Sequence, residues 1–195
     1  MNNRLQPSDL YSLEQYARIR SSFRSEVMTH KLLRTVHIGL SVTWIFEDRM
    51  TIQYQVQEML RVERIFEEQG ILDELNAYNP LIPDGSNWKV TFLIEFTDVD
   101  ERRAALAKMK GIEDHCWVQV GTQPRVFGIA DEDMERSNDD KTSSVHFLRF
   151  ELNAEMARAA KSDAVLHMGI DHPAYRHVLS PVPEPVSAVL VKDLA

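Results

Sequence analysis

Residues 44–88, WIFEDRMTIQYQVQEMLRVERIFEEQGILDELNAYNPLIPDGSNW, decide the fold. They read as a strand, a long helix, a short helix and a turn-rich loop. Asp48 fits a helix N-cap and Gly70 fits the residue just past a helix end, with no proline between them. At 100° per residue, Ile52, Val56, Met59, Leu60, Val62 and Phe66 fall on one broad arc that should face a core. Gln53, Gln57, Arg64 and Glu68 fall on a side that should be wet. A third stripe carries Tyr54, Glu58, Arg61 and Ile65. Glu63 lies in the middle of the apolar arc. An ionised carboxylate buried there costs several kcal/mol unless it is paired or protonated. Glu63 is therefore expected either in a structural ion pair with an Arg or His or as a ligand-facing carboxylate. Glu58 and Arg61, an i,i+3 pair, read as surface support, so Glu63→Gln should cost more stability than Glu58→Gln.

Working outward, 195 residues suit one domain over 1–195, with 1–34 as an N-terminal helical arm on an α+β core over 35–195. An apolar fraction of 44% is enough for a real core, and a net charge of −8 argues against a general nucleic-acid binder. No run approaches the ~18 apolar residues of a membrane span, and MNNRLQPSDL has no apolar stretch of a secretory signal. The single cysteine, Cys116, leaves no internal disulfide and no multi-cysteine zinc site. A cytoplasmic, reducing address is expected.

Upstream, Ser12 and Gln15 form a capping box that opens a helix to about His30. Residues 35–40 and 42–47 read as paired strands. Downstream, residues 89–96 alternate in polarity as a strand does, and Asp98 with Glu101 starts a helix. Residues 115–120 and 125–130 suggest a hairpin around Gly121–Pro124. Residues 145–152 form a strand, and Asn153 caps the helix that follows. Residues 164–170 and 177–182 read as the last strands, and a short helix over about 186–194 closes the chain. The fold class is α+β with a mixed or mainly antiparallel sheet, one long central helix and an N-terminal helix. The acidic tract DEDMERSNDDK, 131–141, fails as an EF-hand loop, with Arg136 at its sixth position and Thr142 at its twelfth. Phe92–Thr97 aligns without gaps to Leu148–Asn153, setting Glu95 on Glu151, Arg102 on Arg158 and Ala104 on Ala160. That echo suggests two strand–helix–strand units in one sheet.

Candidate chemistry is sparse. His146 shares the apolar strand phase of Leu148 and Phe150. His172 follows Asp171 and precedes Pro173, so it is extended, and His177 lies five residues on across a turn. Glu63, His146 and His172, or Asp171, form the candidate metal set, although such sites need three or four ligands. His167 falls on the other face of its strand and reads as exposed. Cys116 alternates inward and reads as a small buried hydrophobe, with His115 on the opposite face. No nucleophile elbow, dinucleotide fingerprint or phosphate-binding loop is present. An enzyme reading centres on Glu63, with an imidazole and an arginine such as Arg149 beside it, and Glu58, Arg61, Asp171 and His177 complete the binding candidates.

The stretches FEDRMTIQYQVQEMLRVERIFEEQGILDELNAYNPLIPDGSN, GIEDHCWVQV, IADEDMERSNDDKTSSVHFLRFEL and GIDHPAYRH resemble a bacterial family of this length that carries a domain-of-unknown-function label. The resemblance spans nearly the whole chain. Members of that family are commonly encoded near rubrerythrin-like proteins and iron–sulfur proteins similar to heterodisulfide reductase subunits. The resemblance implies an accessory or binding protein of a redox or oxidative-stress system. No cofactor of its own is expected, because the chain lacks the cysteines for a cluster and the paired E-x-x-H motifs of a di-iron bundle.

Overall fold

The computed structural model describes residues 3–130 and 141–195. The acidic tract therefore lies, apart from Lys141, outside the described residues. Helix α1 (Leu13–Leu32) opens with the expected capping box: the Ser12 hydroxyl accepts from the Gln15 amide at 3.2 Å, and the Gln15 side chain accepts from the Ser12 amide at 3.0 Å. Strands β1 (Thr35–His37) and β2 (Val42–Phe46) pair as a hairpin. Asp48 then caps α2 (Arg49–Glu63), accepting from the Thr51 amide at 2.9 Å.

The long helix expected to run to Gly70 stops at Glu63, and the short helix after it begins before Gly70 rather than beyond it. Arg64 turns left-handed, with φ 56° and ψ 41°, and ends α2. Helix α3 (Glu68–Tyr78) follows, so Gly70 lies inside a helix rather than beyond one. The remaining elements are β3 (Asn87–Ile94), α4 (Val99–Lys108), β4 (Cys116–Val120), β5 (Val126–Phe127), β6 (Ile129–Ala130), β7 (Val145–Glu151), α5 (Ala154–Lys161), β8 (Leu166–His172), β9 (Tyr175–Leu179) and α6 (Glu184–Leu190). Asp98 and Asn153 cap α4 and α5 as expected.

The fold is α+β, with two antiparallel sheets in the orders β1-β2-β3-β7-β6 and β5-β4-β8-β9. The sheets meet at both edges. On one side β5 and β6 flank Gly128, whose amide donates to the Cys116 carbonyl at 2.8 Å. On the other, the Tyr175 hydroxyl donates to the Ile38 carbonyl at 2.8 Å and accepts from the Ser41 amide at 3.0 Å. The β1–β2 tip passes so close that a Cβ on Gly39, at φ +76°, would lie 2.4 Å from that hydroxyl.

The internal echo is visible in the pairing, though not as expected. Each strand–helix–strand unit sends its first strand to one sheet and its second to the other: β3 pairs β7, and β4 pairs β8. Thr91 lies opposite Phe147, the residue that the gapless alignment equates with it, so a local two-fold passes between them.

The inner faces of both sheets bury Trp44, Phe46, Trp88, Phe92, Phe150, Val118, Met168 and Ile170, with α6 sealing one side through Leu190. The Trp88 indole N–H finds the Leu190 carbonyl at 3.0 Å. A second apolar cluster joins Leu5, Ile52, Val56, Leu60, Leu75 and Ile82 among the helices and the N-terminal segment.

Candidate functional site

The apolar stripe of α2 holds as far as Leu60. Ile52, Val56 and Leu60 are buried, spaced i, i+4, i+8. Gln57, expected to be wet, is also buried. Its side-chain carbonyl accepts from the Tyr11 amide at 2.6 Å and its NH2 donates to the Tyr11 carbonyl at 3.3 Å, so its polar atoms are satisfied inside the protein.

Glu58 is the carboxylate hub of this helix. It accepts from Arg20 Nε and Nη2 at 2.7 and 2.8 Å, from the Tyr16 hydroxyl at 2.7 Å and from Arg61 at 3.3 Å. The Arg20 bonds, opposed by partial burial, hold its carboxyl down at about 2. Burial, then the bond to Glu58, pushes the Tyr16 hydroxyl above its usual range.

The end of α2 departs from the wheel. Glu63 is exposed, as are Val62 (58%) and Phe66 (70%). A wheel gives an angle and no height: Glu63 has the right angle to be buried, but it lies in the last turn, past the level at which α3 and the N-terminal segment pack on Leu60. The expectation of a buried Glu63 is overturned by that exposure. Phe66 lies beyond the helix altogether.

The chain is held firmly where it turns. The Leu60 carbonyl accepts from the amides of both Arg64 and Ile65, the latter at 2.9 Å. Ile65 folds back onto α3 at Gly70, where a Cβ would lie 2.7 Å from Ile65 Cγ2. Ile65 is thus anchored inward and its neighbour Phe66 projects outward. Around Phe66 the carboxylates of Glu63, Glu67 and Glu68 are exposed. Phe66 is thus an exposed apolar side chain whose chain neighbours are mostly exposed acids, with the exposed Arg64 among them.

The other candidates are dispersed. His146 is buried, with Nε2 3.0 Å from the Ser143 carbonyl, 3.0 Å from the Thr142 hydroxyl and 3.8 Å from Glu113. His172 is buried too: Nε2 donates to the Lys110 carbonyl at 3.0 Å and Nδ1 accepts from the Ala174 amide at 3.2 Å, which occupies both ring nitrogens. His177 is exposed and lies on the Tyr175 ring at 4.4 Å. Asp171 pairs with Arg125 at 2.5 Å, and that guanidinium covers Trp117. Arg149 pairs with Glu151 on the outer face of β7. The metal set Glu63, His146, His172 is not assembled, and among the described residues no three His, Cys, Asp or Glu side chains converge as a metal site. Cys116 is buried and its thiol pushed well up by burial, as befits a packing residue.

Two polar groupings had no sequence signal. Glu47, buried at the end of β2, accepts from the hydroxyls of Thr51 and Thr91, the latter at 2.6 Å. Arg34, also buried, forks onto Asp193 at 2.6 and 2.9 Å, and its Nε lies 3.0 Å from Asp48. Each depends on residues distant in sequence, which no local pattern could join. Among the described residues no helix is long and apolar enough to cross a membrane.

Residues 4–194 match the profile of a family described as "Protein of unknown function (DUF3501)". A crystal structure of a novel protein of unknown function from Burkholderia pseudomallei K96243 is similar at 46% identity and a TM-score of 0.93, over 98% of this chain and 99% of that one. No curated protein matches the chain.

Proposed function

The chain belongs to the DUF3501 family, and from that premise we propose that it is a binding protein of a redox or oxidative-stress system, docking a partner protein at the α2–α3 corner. The observation that carries this reading is Phe66, 70% exposed on a turn whose flanking residue Ile65 is pinned against Gly70. Exposing a Phe side chain forgoes roughly 1.5–3 kcal/mol of burial. A rigid aromatic presented at little entropic cost is the usual anchor of a protein interface. Glu63, Glu67 and Glu68 are exposed beside it in the sequence, against the single base Arg64, in a chain of net charge −8, so the complementary partner is a protein with an apolar recess rimmed by Lys and Arg. The resemblance described above implies which partners to try: a rubrerythrin-like protein and an iron–sulfur protein similar to heterodisulfide reductase subunits.

Calorimetric titration of each purified candidate into this protein tests the reading. A one-to-one complex with at least one of them is expected, weakening as salt is raised because surface charges are screened within about 10 Å at 0.1 M. Failure of both to bind at low salt, or binding indifferent to salt, contradicts it.

A further inference from the structure

A second interaction surface lies on the four-stranded sheet, at the free edge of β9. The order β5-β4-β8-β9 leaves β9 paired on one side only. His172 and Tyr175 close its turn with β8 across two residues, Pro173 and Ala174, and Ile170 lies opposite His177. Directly opposed residues of an antiparallel pair alternate between exchanging hydrogen bonds and not doing so. His177 belongs to the bonded set: a Cβ on Gly169 would lie 2.9 Å from its carbonyl oxygen, so that carbonyl points across to β8. Its neighbours Arg176 and Val178 therefore turn their amides and carbonyls outward, and neither backbone bonds to another element among the described residues.

The side chains on this edge are exposed: Arg176, His177 and, at 55%, Val178. Arg176 and Val178 stand on the outer face of the sheet, opposite Asp171 and Gly169, while Met168 and Ile170 are buried in the core. Asp171 is the acid opposite Arg176, but it is already taken. Arg125 holds it at 2.5 Å, and that guanidinium is itself stacked 3.7 Å over the Trp117 ring. Arg176 is left without an ion pair among the described residues, a bare cation in a chain of net charge −8.

We propose that β9 takes up an extended segment of a partner protein as a fifth, antiparallel strand, and that this segment carries an apolar residue two positions before an Asp or Glu. An unpaired edge is a template for an added strand; main-chain bonds hold such a segment, and alternate side chains select it. Antiparallel to β9, the partner residue opposite Val178 precedes by two the residue opposite Arg176, and the strand period puts both on the outer face. The acid then meets the free guanidinium across the ladder. A charge on an edge also turns away strands that cannot match it. A second copy adding through its own β9 is such a strand, since Tyr175–Leu179 contains no Asp or Glu.

The test follows the amide NMR signals of the isotope-labelled full-length protein against a capped peptide, Thr-Thr-Val-Thr-Glu-Thr-Thr, and a twin in which Lys replaces Glu. At millimolar Glu peptide the Arg176 and Val178 amides should shift and exchange with solvent at least tenfold more slowly. The Lys peptide should bind at least tenfold more weakly, and Arg176→Glu, which should melt like the parent, should reverse the preference. Shifts that avoid β9, no shifts, equal binding of the two peptides, or an unreversed preference in Arg176→Glu would each overturn the proposal. So would a dimer of the protein alone, seen by sedimentation, in which the same two amides are already protected, because β9 would then belong to a second copy.

Discussion

Glu58 and Glu63 exchange the roles that the helix wheel assigns them. Glu58 looks like surface support and is the better-connected carboxylate, with Arg20, Tyr16 and Arg61 all donating to it. Glu58→Gln should lower stability by about 1–3 kcal/mol, the range for hydrogen bonds to charged groups, whereas Glu63→Gln should change it by less than about 0.5 kcal/mol, as for exposed sites. Thermal melts of both variants check the order; an equal or reversed effect would contradict it. The linkage has a definite sign. The folded-state value of Glu58, about 2, lies below its ordinary 4.5, so the unfolded chain takes up its proton first. The stabilisation it supplies is complete above about pH 4.5 and disappears as pH falls toward about 2. Denaturant midpoints between pH 6 and pH 3 should therefore fall less steeply in Glu58→Gln than in the parent.

At the scale of elements, the local signals were reliable and the axial ones were not. The caps Ser12, Asp48, Asp98 and Asn153 were legible because capping depends on residues within three positions. The end of α2 was not legible, because nothing nearer than Gly70 marks it, and Gly70 marks it through space. It receives Ile65 from the turn instead of terminating a helix. This gives a prediction whose sign discriminates. By helix propensity alone, Gly70→Ala inside α3 should stabilise by up to about 1 kcal/mol. With a Cβ 2.7 Å from Ile65 Cγ2, which the β-branch leaves no room to swing away, it should instead destabilise by about 1–3 kcal/mol. In an Ile65→Ala background the obstacle is gone and Gly70→Ala should regain the stabilising sign. A double-mutant cycle by urea unfolding measures this coupling, and additive effects would mean that the corner is not pinned as described.

For the whole molecule, the antiparallel α+β class could be read from alternation and turn chemistry, but the division into two sheets could not. The repeat of Phe92–Thr97 in Leu148–Asn153 has the same local pattern whether its units share a sheet or span two, and only the Thr91–Phe147 pairing separates the cases. The exposure of Glu63 is illegible for a related reason: the helix wheel gives its angle, and its exposure depends on where the chain turns away. The C-terminal segment is tied to the α1–β1 junction by the buried Arg34–Asp193 fork. Asp193→Ala strands a buried guanidinium and should cost toward the lower end of about 3–5 kcal/mol, because Asp48 remains 3.0 Å from Arg34 Nε; a melting temperature unchanged from the parent would show the fork to be unimportant. The central claim is that the fixed α2–α3 corner is a docking knob. It is tested most directly by the affinity of the proposed redox partner for Phe66→Ala against Leu40→Ala, the latter a fully exposed apolar residue on the β1–β2 tip. The account predicts that Phe66→Ala weakens binding at least tenfold, about 1.4 kcal/mol or more, with an unchanged melting temperature, while Leu40→Ala binds as the parent does. Equal binding by the parent and Phe66→Ala would contradict it.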